Sequence, residues 1–182
     1  MLGGNSEAQP VACLEFGLGH FWDWFGKVSS IMTPLEHQAH KICQILTSDE
    51  RYKGKTINLV GISQGGLIAR EVVETCDVDI NVLYTVGAPH QGVSTMFNCT
   101  NKQDLLVNAL CEWGNKIFAH LSKSKFLQSI IAPASIYKPW FDIAAFYAGQ
   151  PWLPMINNEI VVDEERKRKL SSVNHFAMFR WI

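Results

Sequence analysis

Apolar positions along this chain change period in a regular order. Val11 to Phe16 is a short β-like run ended by Gly17 and Gly19, and it predicts a strand that opens into a loop. The loop is aromatic, with Phe21, Trp22, Trp24 and Phe25 close together. Thr33-Pro34-Leu35-Glu36 predicts a helix start, with Thr33 as N-cap, Pro34 in the first helical position and Glu36 placed for a capping box. Leu35, Ala39, Ile42, Cys43 and Leu46 then recur at helical spacing, which gives that helix one face to lay on a sheet. Ile57 to Val60 predicts a strand, and Leu67, Ile68, Val72 and Cys76 mark the inner face of a helix after it. Ile80 to Val86 predicts another strand, whose unbroken apolar run suits burial on both faces. Strand, helix, strand, helix, strand in this order predicts a parallel α/β sheet with right-handed crossovers and helices on both faces.

From Gln103 to about Ile131 the pattern is helical, with Leu106, Leu110, Trp113, Ile117 and Leu121 on one side and Gly114 weakening the middle. Between Ala132 and Pro154 prolines alternate with aromatics. Residues 103–158 are expected to form an insertion over the active edge of the sheet, within a single domain spanning residues 1–182. Asp163 to Lys169 switches charge sign midway and predicts a solvated helix with internal pairs. Phe176 to Ile182 is strand-like.

Composition narrows the class. At 182 residues with 47% apolar content the chain can bury a core, and 16 Lys+Arg against 17 Asp+Glu leave no electrostatic footprint for nucleic acid. No apolar stretch approaches a membrane span, and the N-terminus lacks the charged-then-apolar pattern of a signal peptide. The five cysteines form no C-x₂₋₄-C knuckle, and His20, His37, His40 and His120 have no ligand partners at useful spacing. No metal or cofactor is expected.

One motif names a chemistry. Gly61-Ile62-Ser63-Gln64-Gly65 sits between the Ile57–Val60 strand and a helix, which is the sequence of a nucleophile elbow. A turn that tight is expected to require both glycines, and it lifts the Ser63 hydroxyl above the carboxyl edge of the sheet. The plainer alternative is a serine that merely fills a tight turn. A catalytic serine also needs a base, an acid and an oxyanion hole, of which the backbone N–H of Gln64 would supply half.

Beyond the elbow, Gly61-Ile62-Ser63-Gln64-Gly65-Gly66 followed by Gly87-Ala88-Pro89-His90-Gln91-Gly92-Val93 resembles the palmitoyl-protein thioesterases. Cys13-Leu14-Glu15-Phe16-Gly17, the Trp22/Trp24 loop, Pro34-Leu35-Glu36-His37-Gln38-Ala39 and Trp152-Leu153-Pro154-Met155-Ile156-Asn157-Asn158-Glu159 resemble the plant branch of that family. The resemblance implies an α/β-hydrolase that cleaves long-chain fatty acyl thioesters from S-palmitoylated proteins. It makes Ser63 the acylated nucleophile, Gln64 the oxyanion donor and the aromatic insertion the acyl groove. The family's oxyanion His-Gly motif precedes the segment matching Val11 to Phe16, and its triad aspartate and histidine follow the segment matching Phe176 to Trp181. The sequence is therefore expected to be the middle of a longer enzyme, an incomplete α/β-hydrolase. An internal triad would need His175 with Asp142 or Asp163, and His90 matches a family position that is not the base.

The same resemblance implies disulfides Cys43–Cys76 and Cys99–Cys111, with Cys13 left over, against the alternative of five buried thiols. It also implies a lysosomal, vacuolar or secretory location. Asn98-Cys99-Thr100 formally matches a glycosylation acceptor. Two rivals stand beside the thioesterase: a lipase or carboxylesterase with the same elbow, and an inactive fragment serving as an acyl-binding or interaction module.

Overall fold

The computed structural model describes residues 12, 31–95, 99, 105–138, 142–149 and 152–180. The expected strand Val11 to Phe16, the aromatic loop at 21–25, Cys13 and the acceptor Asn98 lie outside the described residues. So do Trp140 and Phe141 of the expected insertion.

Helix α1 spans Leu35–Ser48 and buries Leu35, Gln38, Ala39 and Leu46. Its start differs from expectation by one residue: Pro34 is the extended N-cap, with no side-chain capping bond. Proline has no side-chain acceptor to offer, and Gln38 instead turns back, its Nε2 donating to the Thr33 carbonyl at 2.7 Å. Strand β1 (Ile57–Ile62) leads through Ser63 into α2 (Gln64–Thr75), and β2 (Ile80–Val86) follows. Helix α3 spans Leu105–Leu121, followed by the short helices α4 (Lys125–Gln128), α5 (Ala132–Ser135), α6 (Ile143–Gly149) and α7 (Trp152–Ile156). Helix α8 (Glu164–Ser172) then leads to β3 (His175–Phe179).

The three strands are parallel in the order β1-β2-β3. Ile57, Leu59 and Leu83 turn to the helical side, where they meet Ala69 and Val73 of α2 and Leu170 of α8. Of the helices expected on both faces, the described residues supply those of one. Both crossovers step the same way across the sheet, so their right-handedness sets α2 and α8 on the same side. The other face presents Val60, Ile62, Tyr84 and Phe179 exposed.

Helix α2 is the centre of the core. All nine residues from Gly66 to Glu74 are buried, so its charged members must be satisfied inside the protein. The apolar stripe of α3 is present as a pattern but faces outward: Leu106, Leu110 and Trp113 are each at least 60% exposed. Asp163 caps α8, its Oδ1 accepting from the N–H groups of Glu165 and Arg166. Lys167 and Arg168 pair with Glu164 and Glu165 as a solvated helix should. Arg166 departs from that reading and turns into the core.

Candidate active site

Ser63 stands where β1 ends, and its backbone is strained, with φ 53° and ψ −125°. A left-handed φ at a non-glycine residue is costly, of order 1–3 kcal/mol, and persists only where its surroundings enforce it. They do so here. The Ser63 N–H donates to the Val86 carbonyl at 2.8 Å, and the Gly66 N–H donates back to the Ser63 carbonyl at 3.0 Å. The serine itself is exposed, at the carboxyl edge of a parallel sheet where ligands collect.

The glycines around it divide differently from the sequence reading. A Cβ on Gly61 would stand 2.4 Å from the Gly65 carbonyl oxygen, and one on Gly66 would stand 2.5 Å from Ala88 Cβ. A Cβ on Gly65 would meet nothing within 4 Å. The sterically required pair is therefore Gly61 and Gly66, because the strand end lies under the first turn of α2 and Ala88 lies over it. Gly65 points into open space.

The Gly87–Val93 segment forms the neighbouring wall. Gly87 (φ 60°) and Gly92 (φ 83°) take turns that side chains resist. A Cβ on Gly92 would also come within 2.8 Å of the Ile136 carbonyl oxygen, because Val93 bridges to Tyr137 there. His90 hangs between strand and helix. Arg70 of α2 donates to its Nδ1 at 3.3 Å, its Nε2 lies 2.9 Å from Thr85 Oγ1, and its carbonyl accepts from Asn157 Nδ2 at 3.0 Å. An arginine can only donate, so Nδ1 is the acceptor and Nε2 carries the proton. Burial first and the Arg70 charge second depress the His90 pKa to about 4.

Beneath the wall lies a buried ionic network that sequence reasoning missed. Arg70 pairs with Glu74 at 3.0 Å and donates to the Ile156 carbonyl and to Asn157 Oδ1, both at 2.6 Å. Arg166 reaches Glu74 at 3.2 Å. The Trp152 indole donates to Glu71 Oε2 at 2.7 Å, and burial pushes the Glu71 carboxyl up to about 7. Glu159 binds Lys138 and Asn157. The i, i+4 spacing of Arg70 and Glu74 was the available signal, but it reads equally well as a solvated pair. The Trp152–Glu159 motif thus has a physical role: it ties α7 and the turn after it to the elbow helix.

None of the internal candidates reaches Ser63 as a base. His175 opens β3 opposite Val82, whereas Ser63 bonds Val86 four residues on, about 13 Å further along the strands. Asp142 pairs with Lys123 and Asp163 caps α8. His90 has both ring nitrogens engaged. Among the described residues, no side chain hydrogen-bonds the Ser63 hydroxyl.

Cys43 and Cys76 lie at disulfide distance, 5.7 Å between Cα atoms, and join α1 to the end of α2. Cys99 and Cys111, 12 positions apart in sequence, are placed likewise. No helix among the described residues is long and apolar enough to cross a membrane, and none of their His, Cys, Asp and Glu groups could hold a metal.

A parallel sheet carrying a strained, exposed serine on a strand-to-helix turn is the arrangement of the α/β-hydrolases, and this is an incomplete α/β-hydrolase domain. The model of the palmitoyl protein thioesterase family matches residues 10–181, and the chain belongs to that family. It is similar to the palmitoyl-protein thioesterase-dolichyl pyrophosphate phosphatase fusion 1 of Schizosaccharomyces pombe, with 27% identity over 130 residues. That match takes in 71% of this chain and 20% of the relative, so the chain spans about a fifth of the fusion protein's length.

Proposed function

We propose that Ser63 is the nucleophile of a thioesterase that removes long-chain fatty acyl groups from protein cysteines, with the backbone N–H of Gln64 as one oxyanion donor. The single observation that carries this reading is the strained φ of 53° at an exposed serine. A serine that only filled a turn would gain nothing from strain that glycine would relieve.

In this reading Ser63 Oγ attacks the thioester carbonyl carbon as a base takes its proton. The oxyanion is held by the N–H of Gln64 at the start of α2, where the helix dipole adds partial positive charge. Collapse breaks the C–S bond, and the cysteine leaves as a thiol after receiving that proton. Water, deprotonated by the same base, then hydrolyses the acyl-enzyme to fatty acid and free serine. Base and acid come from outside the described residues, a reading supported by the commitments of His90, Asp142 and Asp163 and by the distance of His175 along the sheet. Residues 103–158 serve as the acyl groove. Each buried methylene is worth about 0.8 kcal/mol, so a long chain binds by apolar contact alone. We place the enzyme in the lysosome, vacuole or secretory pathway, supported by family membership and by two cysteine pairs at bonding distance, which suit an oxidising compartment.

The test is hydrolysis of a palmitoyl thioester of a cysteine peptide by the full-length protein. Ser63→Ala is expected to abolish it. Hydrolysis of oxygen esters with no thioester turnover would instead favour a lipase or carboxylesterase.

A further inference from the structure

The Ala88–His90 strip touches the elbow more intimately than a neighbouring loop need do. Gly66, three residues after Ser63, has no room for a Cβ because Ala88 Cβ would be 2.5 Å away and Thr85 Cβ 3.1 Å away. Ala88 therefore packs directly on Gly66, two residues after Gln64 in the first turn of α2, and a shift of one displaces the other. What holds Ala88 in turn is His90, whose backbone N–H donates to the Ala88 carbonyl at 2.9 Å and closes the strip into a turn.

His90 is held from four sides. Thr85 of β2, itself 1% exposed, accepts from Nε2; Arg70 of α2 donates to Nδ1; Asn157 donates to its carbonyl; and the Phe176 ring of β3 meets the imidazole edge to face at 6.2 Å. The charged groups facing it are Arg70, with Glu74 behind, and, through Asn157, the Glu159–Lys138 pair. This fixes one tautomer of a neutral ring. Its depressed pKa agrees, since burial disfavours the charged ring and a second ring proton would also point at the Arg70 guanidinium.

We propose that His90 is the positioning residue of this edge: it locks Ala88 against the first turn of α2 and so sets the Gln64 N–H where the oxyanion forms beside Ser63. The proposal rests on the Ser63 reading above. It assigns His90 no proton transfer, because both ring nitrogens are committed.

The experiment compares His90→Ala, His90→Phe and His90→Gln in the full-length protein, with Ser63→Ala alongside. Thiol release from a palmitoyl-cysteine peptide gives kcat and KM, at a temperature where circular dichroism shows each variant folded. Phenylalanine keeps the ring volume against Phe176 and removes both hydrogen bonds, so it stays informative if alanine does not fold. Glutamine can accept from Arg70 and donate to Thr85. A donor displaced by about 1 Å costs on the order of a hundredfold. We expect kcat to fall roughly ten- to a hundredfold in His90→Phe with KM within about twofold, and glutamine to restore at least about tenfold of any such loss. Unchanged kcat in His90→Phe, a loss confined to KM, or a loss that glutamine does not restore would overturn the proposal. Turnover surviving in Ser63→Ala would overturn the nucleophile assignment and this proposal with it; an inactive Ser63→Ala beside normal His90 variants overturns the proposal alone.

Discussion

Replacing Gly61 by alanine sets a methyl group 2.4 Å from the Gly65 carbonyl oxygen and 2.5 and 2.6 Å from Cα and N of Gly66. Ordinary contact begins near 3.4 Å, so the end of β1 and the first turn of α2 must part by about 1 Å. Every offending atom is backbone, and no flexible side chain can swing away. Overpacking typically costs about 1–3 kcal/mol, and the rigidity of this contact puts Gly61→Ala at about 3. For a domain of this size each kcal/mol lowers Tm by about 2–4 °C, which gives a fall of about 6–12 °C. Gly65→Ala is the internal control. Gly65 lies in α2 at an ordinary helical φ with nothing within 4 Å of its Cβ position, so alanine should raise stability by about 0.4–1 kcal/mol. Thermal unfolding followed by far-UV circular dichroism reads both variants. The steric reasoning is refuted if the two glycines of the motif respond alike, or if Gly61→Ala melts like the parent.

Glu71, its pKa raised to about 7 by burial, contributes stability that is fully present below its unfolded value of 4.5 and is lost as pH rises through about 7. Glu71→Gln, which retains an acceptor for Trp152, should therefore gain in Tm over the parent between pH 5 and about 8; a constant difference across that range would contradict the burial argument. His90 has the opposite sign, its contribution present above the unfolded value of 6.5 and lost as pH falls towards about 4. Trp152→Phe removes the donor to Glu71 Oε2 and should cost about 1–3 kcal/mol in urea unfolding, whereas an exposed tryptophan would cost next to nothing. Opening the Cys43–Cys76 pair, 33 residues apart, by Cys43→Ala with Cys76→Ala should cost about 4 kcal/mol on loop entropy, against about 3 for the 12-residue Cys99–Cys111 loop; the reverse order would show that loop length does not set the effect.

Strands β1 and β2 and the turn at Ser63 were legible because their signals are local. An apolar run at 57–60 and another at 80–86 need no partner to be recognised, and a serine between glycines at a strand end names its own turn. What stayed hidden depends on contacts between distant segments. Arg70, Glu71 and Glu74 look like the wet side of an amphipathic helix until Arg166 and Trp152, some 80 to 90 residues later, cover them. Arg166 was hidden for the same reason, inside a charge run whose other members are solvated. The distinction between Gly65 and Gly66 lies in where Ala88 comes to rest, which no spacing encodes. The stripe on α3 was legible as a period, but periodicity does not say whether a face is covered, and this one is exposed.

Thioester cleavage at this elbow requires Ser63 to form a covalent bond with the acyl group. Full-length protein mixed with a palmitoyl thioester, quenched in acid within the first turnovers and digested, should yield the Ser63 peptide carrying one ester-linked acyl group, lost in Ser63→Ala. An acyl group found on any other residue, or thioester turnover with Ser63 unmodified and replaceable, would contradict it.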